Sequence, residues 1–378
     1  MLKIQRYLAS VLLLLVAFSV GVSGLERGDM SAASAVLYCP DTGQFLFERD
    51  ADARLSMAST TKIMTALLAV EQNTPDRPIT VTAEMVNVEG TSSGLRAGDV
   101  LTLRDIIYCM LLESGNDAAN AAAIAIGGSL VGFAELMNRR AAEIGMTDTS
   151  FVTPSGLDDE NHYTTARDMA LLAAQAIENE DFVRICSAKS YRVHFLSSDK
   201  TIVLYNHNRL LESYVGCIGV KTGFTKKSGR CLVSAAQRDG VRLIAVTLNA
   251  PDDWNDHQKL LDSGFDEMSI LRLDTDFSRF AVPVVGGEQK TVDIAGSECF
   301  AVYRKADGEP DVMRTVYLEK FLYAPVQKGD IVGYAVYETD GRTVKRLPLT
   351  AVQDIPKAEK QQTKQNFLDR FFGLFDRW

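Results

Sequence analysis

Ser59 and Lys62, the ends of Ser59-Thr60-Thr61-Lys62, stand three residues apart, which on a helix places them on one face about one turn apart. A serine hydroxyl is a poor nucleophile at neutral pH and needs a base within hydrogen-bond reach. A lysine amine becomes that base where burial or a second cation lowers its pKa. A serine in the first turn of a helix also has the free N–H groups and positive dipole end beneath it. Alone, the tetrapeptide is better explained by Ser59 acting as an N-cap. Two further groups add weight. Ser114-Gly115-Asn116 interrupts two helical stretches, where a loop can present a hydroxyl and a carboxamide together. Lys221-Thr222-Gly223 closes a β-rich run, where a strand edge offers backbone groups to an extended peptide. There Lys221 and Thr222 supply a cation and a hydroxyl, and Gly223 permits close approach. Each group is common by itself; the three in this order are not.

The elements that must position these residues follow from periodicity. Ile63, Met64, Leu67 and Leu68 predict a helix from about Thr60, with no Pro or Gly to stop it. Helices are predicted over about 103–112, 116–126, 132–144, 165–177 and 253–264. A hairpin is expected around Asp41-Thr42-Gly43, and strands over 215–222, 230–236 and 241–249. Gly90-Thr91-Ser92-Ser93-Gly94 reads as a loop. From about Arg272 to Ile355 the chain changes to short β-rich runs punctuated by Gly and Pro, the pattern of a small separate β-sandwich. Residues 356–365 are rich in Lys, Glu and Gln and read as a linker.

The 378 residues, 46% of them hydrophobic, suffice for about two domains with real cores. A net charge of −9 without a basic stripe argues against a nucleic-acid partner. The four histidines show no zinc-ligand spacing, so no metal or other cofactor is expected. Lys3 and Arg6, the apolar run Leu8 to Val20, and Val22-Ser23-Gly24 read as a signal peptide over residues 1–24. Six cysteines in an exported chain invite a disulfide reading, but their spacing is scattered. A hairpin turning near Thr225–Ser228 would set Cys231 opposite about Lys221 rather than Cys217, which favours free thiols.

Met57-Ala58-Ser59-Thr60-Thr61-Lys62-Ile63-Met64-Thr65, Ser114-Gly115-Asn116-Asp117-Ala118-Ala119, Pro154-Ser155-Gly156-Leu157-Asp158-Asp159, His162-Tyr163-Thr164-Thr165-Ala166-Arg167-Asp168, Asn206-His207-Asn208 and Lys221-Thr222-Gly223-Phe224-Thr225 closely resemble the serine D-alanyl-D-alanine carboxypeptidases, the low-molecular-mass penicillin-binding proteins. The likeness covers about Ala33 to Phe265, and the β-rich region and chain end agree with the family's layout. The resemblance implies an α/β (α+β) transpeptidase-like catalytic domain, an antiparallel sheet flanked by helices, over 25–270. A small all-β sandwich over 271–355 would come next, then a linker and membrane-anchor helix over 356–378. It implies removal of the terminal D-alanine from peptidoglycan pentapeptide stems, and acylation by β-lactams. By position, Ser59 would be the nucleophile, Lys62 its proton acceptor, and Ser114 the relay to the leaving D-alanine. Asn116 would hold the substrate's peptide group, and Lys221 and Thr222, with Gly223 beside them, would meet the terminal carboxylate. The N–H groups of Ser59 and Phe224 would form the oxyanion hole. Lys62 and Lys221 in one cleft would repel each other and lower at least one pKa. Some family members carry an arginine after the third strand facing the substrate carboxylate. Ala250-Pro251-Asp252-Asp253-Trp254-Asn255-Asp256 offers none, which shifts weight to Lys221 and Thr222.

A class A β-lactamase would need a glutamate in an E-x-x-L-N pattern; Glu135-Leu136-Met137-Asn138 has the wrong spacing. A D-alanyl-D-alanine endopeptidase and a non-catalytic peptidoglycan-binding scaffold are also compatible with these motifs. At the chain's end, Phe367, Leu368, Phe371, Phe372, Leu374, Phe375 and Trp378 fall on one helical face, and Asp369, Arg370, Gly373, Asp376 and Arg377 on the other. Such a helix is about 18 Å long against a hydrocarbon core of about 30 Å, too short to span. It suits an interface plane; packing back on the β domain is the competing arrangement. The expected location is the outer face of the cytoplasmic membrane, peripherally anchored.

Overall fold

A computed structural model describes residues 25–359. The signal peptide expected over 1–24 and the amphipathic helix expected over 366–378 lie outside the described residues. The described residues divide into two compact units, one made of 25–269 with Arg304–Ala306 and the other of Ile270–Tyr303 with 307–359.

In the first unit, the hairpin expected around Asp41 forms from strands Ser34–Cys39 and Gln44–Arg49. Its first strand is almost wholly buried, because it pairs on its other side with Val241–Leu248. That strand pairs with Gly229–Arg238, which pairs with Cys217–Thr225. The result is an antiparallel five-stranded sheet with Cys217–Thr225, the strand carrying Lys221, at one edge. One side of that strand is therefore left free of sheet hydrogen bonds, as peptide capture at an edge requires.

The helix Lys62–Val70 is apolar but for Lys62 and Thr65, and all nine of its residues are buried, as in a helix at the middle of a core. It shares the core with Leu103–Leu112 and Asn116–Gly127. The first of these starts at a capping box, Thr102 with Asp105. The second is dense in alanine, with Ala118, Ala119, Ala121, Ala122 and Ala123 fully buried, so neighbouring backbones approach closely. Between them Ser114 takes a left-handed conformation, φ 60°, the break expected at Ser114-Gly115-Asn116. Helices Leu130–Ile144, Ala166–Ile177 and Asp253–Glu267 also form as expected. A helix Glu180–Cys186 and a hairpin Ser190–His194 with Thr201–Tyr205 are not foreseen by the periodicity.

The second unit is all-β. Its six-stranded sheet runs in the order Met313–Leu318, Ile331–Thr339, Arg342–Ala351, Thr291–Ala295, Ala281–Val285, Leu322–Tyr323. Its own core includes Val282, Val292, Val332, Tyr337, Leu347 and Leu349. All six cysteines are free thiols. Cys217 pairs across the sheet with Ala236, and Cys231 stands opposite Gly223, two residues from the expected Lys221 and on the same face.

Candidate active site

Ser59 lies in a tight 3-10 turn, Ala58–Thr61, that leads into Lys62–Val70. The expected helix therefore begins with a narrower turn than an α-helix. Ala58 is left-handed, φ 48°, which is uncommon for a residue with a Cβ and needs surroundings that enforce it. Thr61 Oγ1 donates to the Ala58 carbonyl at 2.8 Å. His162 Nδ1 accepts the Val152 N–H at 2.9 Å, so its proton sits on Nε2, which donates to Thr61 Oγ1 at 2.8 Å. Burial pulls the His162 pKa down to about 4, keeping the ring in the neutral state this chain needs. Gly156 faces the same carbonyl so closely that a Cβ there would lie 1.9 Å from Ala58 O.

Lys62 is fully buried, and its Nζ lies 2.9 Å from Ser59 Oγ, 2.8 Å from Asn116 Oδ1 and 2.6 Å from the Ser155 carbonyl. Burial first, then repulsion from Lys221, holds its pKa well below the ordinary lysine value. The Asn116 and Ser155 oxygens can only accept. An unprotonated amine keeps two N–H bonds towards them and turns its lone pair to Ser59 Oγ–H, the arrangement a general base needs. Asn116 gives one amide hydrogen to the Glu89 carbonyl at 2.6 Å, leaving the second for a substrate. The neighbouring Asp117 accepts from Ser92 Oγ and from the Ser93 and Leu95 N–H groups. It thereby pins the loop expected at Gly90–Gly94 over the site.

On the opposite wall, Gly223 brings the sheet edge against the turn: a Cβ added there would stand 3.1 Å from both Ser59 N and Thr60 N. The Ser59 N–H has no hydrogen-bond partner among the described residues. Lys221 is buried, and its Nζ donates to the Thr222 carbonyl at 3.0 Å. Burial lowers its pKa to about 7.

Ser59, Ser114, Thr222, Gly223 and Phe224 line one open cleft of about 310 Å³. Lys62, Asn116 and Lys221 are buried; Lys62 is hydrogen-bonded to Ser59 and Asn116 to Lys62, and Lys221 lies next to Thr222. All eight residues singled out from sequence are thus brought to one place. Sequence reasoning missed Arg209, Arg230 and Trp254, which line the cleft too, because only the strand register reveals that Arg230 stands beside Phe224. Glu135 belongs to the helix Leu130–Ile144, whose Asn138 clamps the Phe151 backbone through both amide atoms.

Residues 21–252 match the family described as D-alanyl-D-alanine carboxypeptidase. The chain belongs to that family. Residues 270–357 match the penicillin-binding protein 5 C-terminal domain. The chain is 33% identical over 338 residues to D-alanyl-D-alanine carboxypeptidase DacF of Bacillus subtilis, covering 86% of each. It is similar to the crystal structure of the carboxypeptidase DacD from Francisella tularensis, with a TM-score of 0.62, 26% identity, and coverage of 89% of this chain and 95% of that one. Penicillin-binding protein 5 from Haemophilus influenzae matches with a TM-score of 0.62, 28% identity, and coverage of 88% and 100%. This carboxypeptidase is a serine-type hydrolase that modifies peptidoglycan, and its family binds β-lactams. Family membership sets aside the β-lactamase and scaffold readings.

Proposed function

We propose that this carboxypeptidase removes the terminal D-alanine from pentapeptide stems through an acyl-enzyme on Ser59. The stem lies extended along the free edge of Cys217–Thr225. Unprotonated Lys62 accepts the Ser59 Oγ proton as the oxygen attacks the penultimate D-alanine carbonyl. The resulting oxyanion is met by the N–H groups of Ser59 and Phe224, each donor contributing about 3–4 kcal/mol. Ser114 gives its proton to the departing amine and takes up the one held by Lys62, so the C–N bond breaks, D-alanine leaves and Lys62 is again unprotonated. Water then attacks the ester with Lys62 again as base, returning the proton to Ser59. Asn116 orients Lys62 and offers its second amide hydrogen to the stem, while Lys221, Thr222 and Gly223 shape the carboxylate end. The observation that carries this reading is the 2.9 Å contact of Lys62 Nζ with Ser59 Oγ, with both other Lys62 partners acceptors. Intact-mass analysis with penicillin tests it. The wild type gains one adduct, and Ser59→Ala and Lys62→Ala gain none; an adduct on Ser59→Ala overturns the assignment.

The same reading extends to where the enzyme works. Residues 1–24 export the chain, 25–270 carry catalysis, 271–355 form the β domain, and 366–378 anchor the protein on the outer face of the cytoplasmic membrane. The support is the short charged-then-apolar start and the aromatic face of the last 13 residues. Deleting 366–378 releases a soluble enzyme with unchanged penicillin binding; continued sedimentation with membranes removes the anchor.

A further inference from the structure

The cleft must hold a substrate that ends in a carboxylate, a requirement that rests on Ser59 acting as proposed. Lys221, the cation of the Lys221-Thr222-Gly223 group, is buried and turned to the Thr222 carbonyl. Its low pKa also leaves it only partly charged at neutral pH. Arg230 is differently placed. In the register of the edge strands Phe224 stands opposite Arg230 and Thr222 opposite Leu232. Directly opposed residues share a sheet face, so Thr222, Phe224 and Arg230 face one way, with Arg230 diagonal to Thr222 and in reach for a long side chain. Its Nε and Nη2 both donate to Asp253 Oδ1, at 3.0 and 2.8 Å, and the Trp254 ring centroid lies 5.6 Å from its Cζ. Asp253 is buried. The guanidinium is thus held before any ligand arrives, and Nη1 has no protein partner among the described residues.

We propose that Arg230 binds the terminal carboxylate of the substrate, Asp253 and Trp254 fixing its guanidinium at the cleft so that Nη1 and the outer hydrogen of Nη2 face the ligand. A guanidinium stays charged at every working pH and matches a carboxylate in two parallel hydrogen bonds. Arg209 also lines the cleft, but its exposed side chain has no hydrogen-bond partner among the described residues and would be ordered only on binding. In this chain the arginine missing from 250–256 is supplied by a neighbouring strand, and the 250–256 segment supplies the carboxylate that aims it.

The test compares two peptides ending in D-alanyl-D-alanine, one with a free terminal carboxylate and one amidated, on full-length enzyme. The readout is the ratio of their kcat/KM values, which is independent of the active fraction in a preparation. Arg230→Ala lowers that ratio by about 10- to 100-fold, the size of a charge-assisted hydrogen bond, chiefly through KM. Because Arg230→Ala leaves buried Asp253 unpaired, Arg230→Lys is measured beside it. It keeps the cation but loses the paired geometry, and its ratio falls between those of wild type and Arg230→Ala. An unchanged ratio in Arg230→Ala, or a ratio that collapses in Arg209→Ala instead, overturns the proposal while leaving Ser59 chemistry intact. A wild type that cleaves neither peptide and takes no penicillin adduct overturns the assignment of Ser59 and this proposal with it.

Discussion

Lys62 can take the Ser59 proton only while its amine is unprotonated, and two features of its surroundings hold it there. Burial removes the water that would solvate an ammonium, and Lys221 adds a like charge. Acylation by penicillin should accordingly rise with pH along a limb set by Lys62, at a midpoint well below the ordinary lysine range. Replacing Lys221 with methionine removes the repulsion but not the burial. Lys62 then holds its proton more tightly, and the midpoint of the limb moves to higher pH. Stopped-flow acylation rates normalised to each variant's own plateau measure this apart from any loss of affinity. A midpoint that stays or moves down would show that the two ammonium groups are not coupled.

The turn Ala58–Thr61 is the element that aims the nucleophile, and its left-handed Ala58 is enforced from outside. The hydrogen-bond relay from His162 through Thr61 reaches the Ala58 carbonyl from one side, and Gly156, φ 87°, backs it from another. Gly156→Ala would drive a methyl into that carbonyl and push Ser59 off its line. Displacements of about 1 Å typically cost about 10²-fold in rate, so acylation should fall by that order while far-UV circular dichroism stays native. Acylation at the wild-type rate would mean the turn holds itself. Gly156 and His162 stand in stretches that carry the family resemblance, but their support of this turn is not legible in the sequence. Ser59 and Lys62 are legible because one helical turn joins them, and Asn116 because Ser114-Gly115 visibly breaks a helix. The helix Lys62–Val70 is legible from its apolar residues, as is Leu103–Leu112. The contact of Gly156 with Ala58 joins residues about a hundred positions apart and leaves no periodic trace. Arg230 is hidden for a related reason: the expected hairpin register is displaced by two residues, which keeps the face but changes every cross-strand neighbour. The segment 178–214 gives no clear pattern because its short helix and exposed hairpin bury only alternate or scattered residues.

For the molecule as a whole, two lysines buried in one core are a cost to folding that depends on pH. Lys221 is lowered from 10.5 to about 7, and Lys62 is lowered as well. Below pH 7 both folded and unfolded chains carry the Lys221 proton, and the folded state bears the full cost of a buried ammonium. Between about 7 and 10.5 the unfolded chain keeps the proton that the folded one has lost, so stability rises with pH at about 1.4 kcal/mol per unit for one such group. Lys221→Met abolishes this dependence at its own position and relieves part of that at Lys62. Its stability relative to wild type should therefore be greatest near pH 6 and shrink by roughly 2–3 kcal/mol on going to pH 9. Urea unfolding midpoints of both proteins at the two pH values read this difference, with the remaining titrating groups common to both. A gap that is constant or widens towards pH 9 would place the Lys221 pKa near its ordinary value in the folded state. The repulsion that prepares Lys62 for catalysis would then have to come from elsewhere. If the gap closes as expected, the charge that destabilises the fold is also the one that readies Ser59's base, and a more stable Lys221→Met enzyme is a slower one.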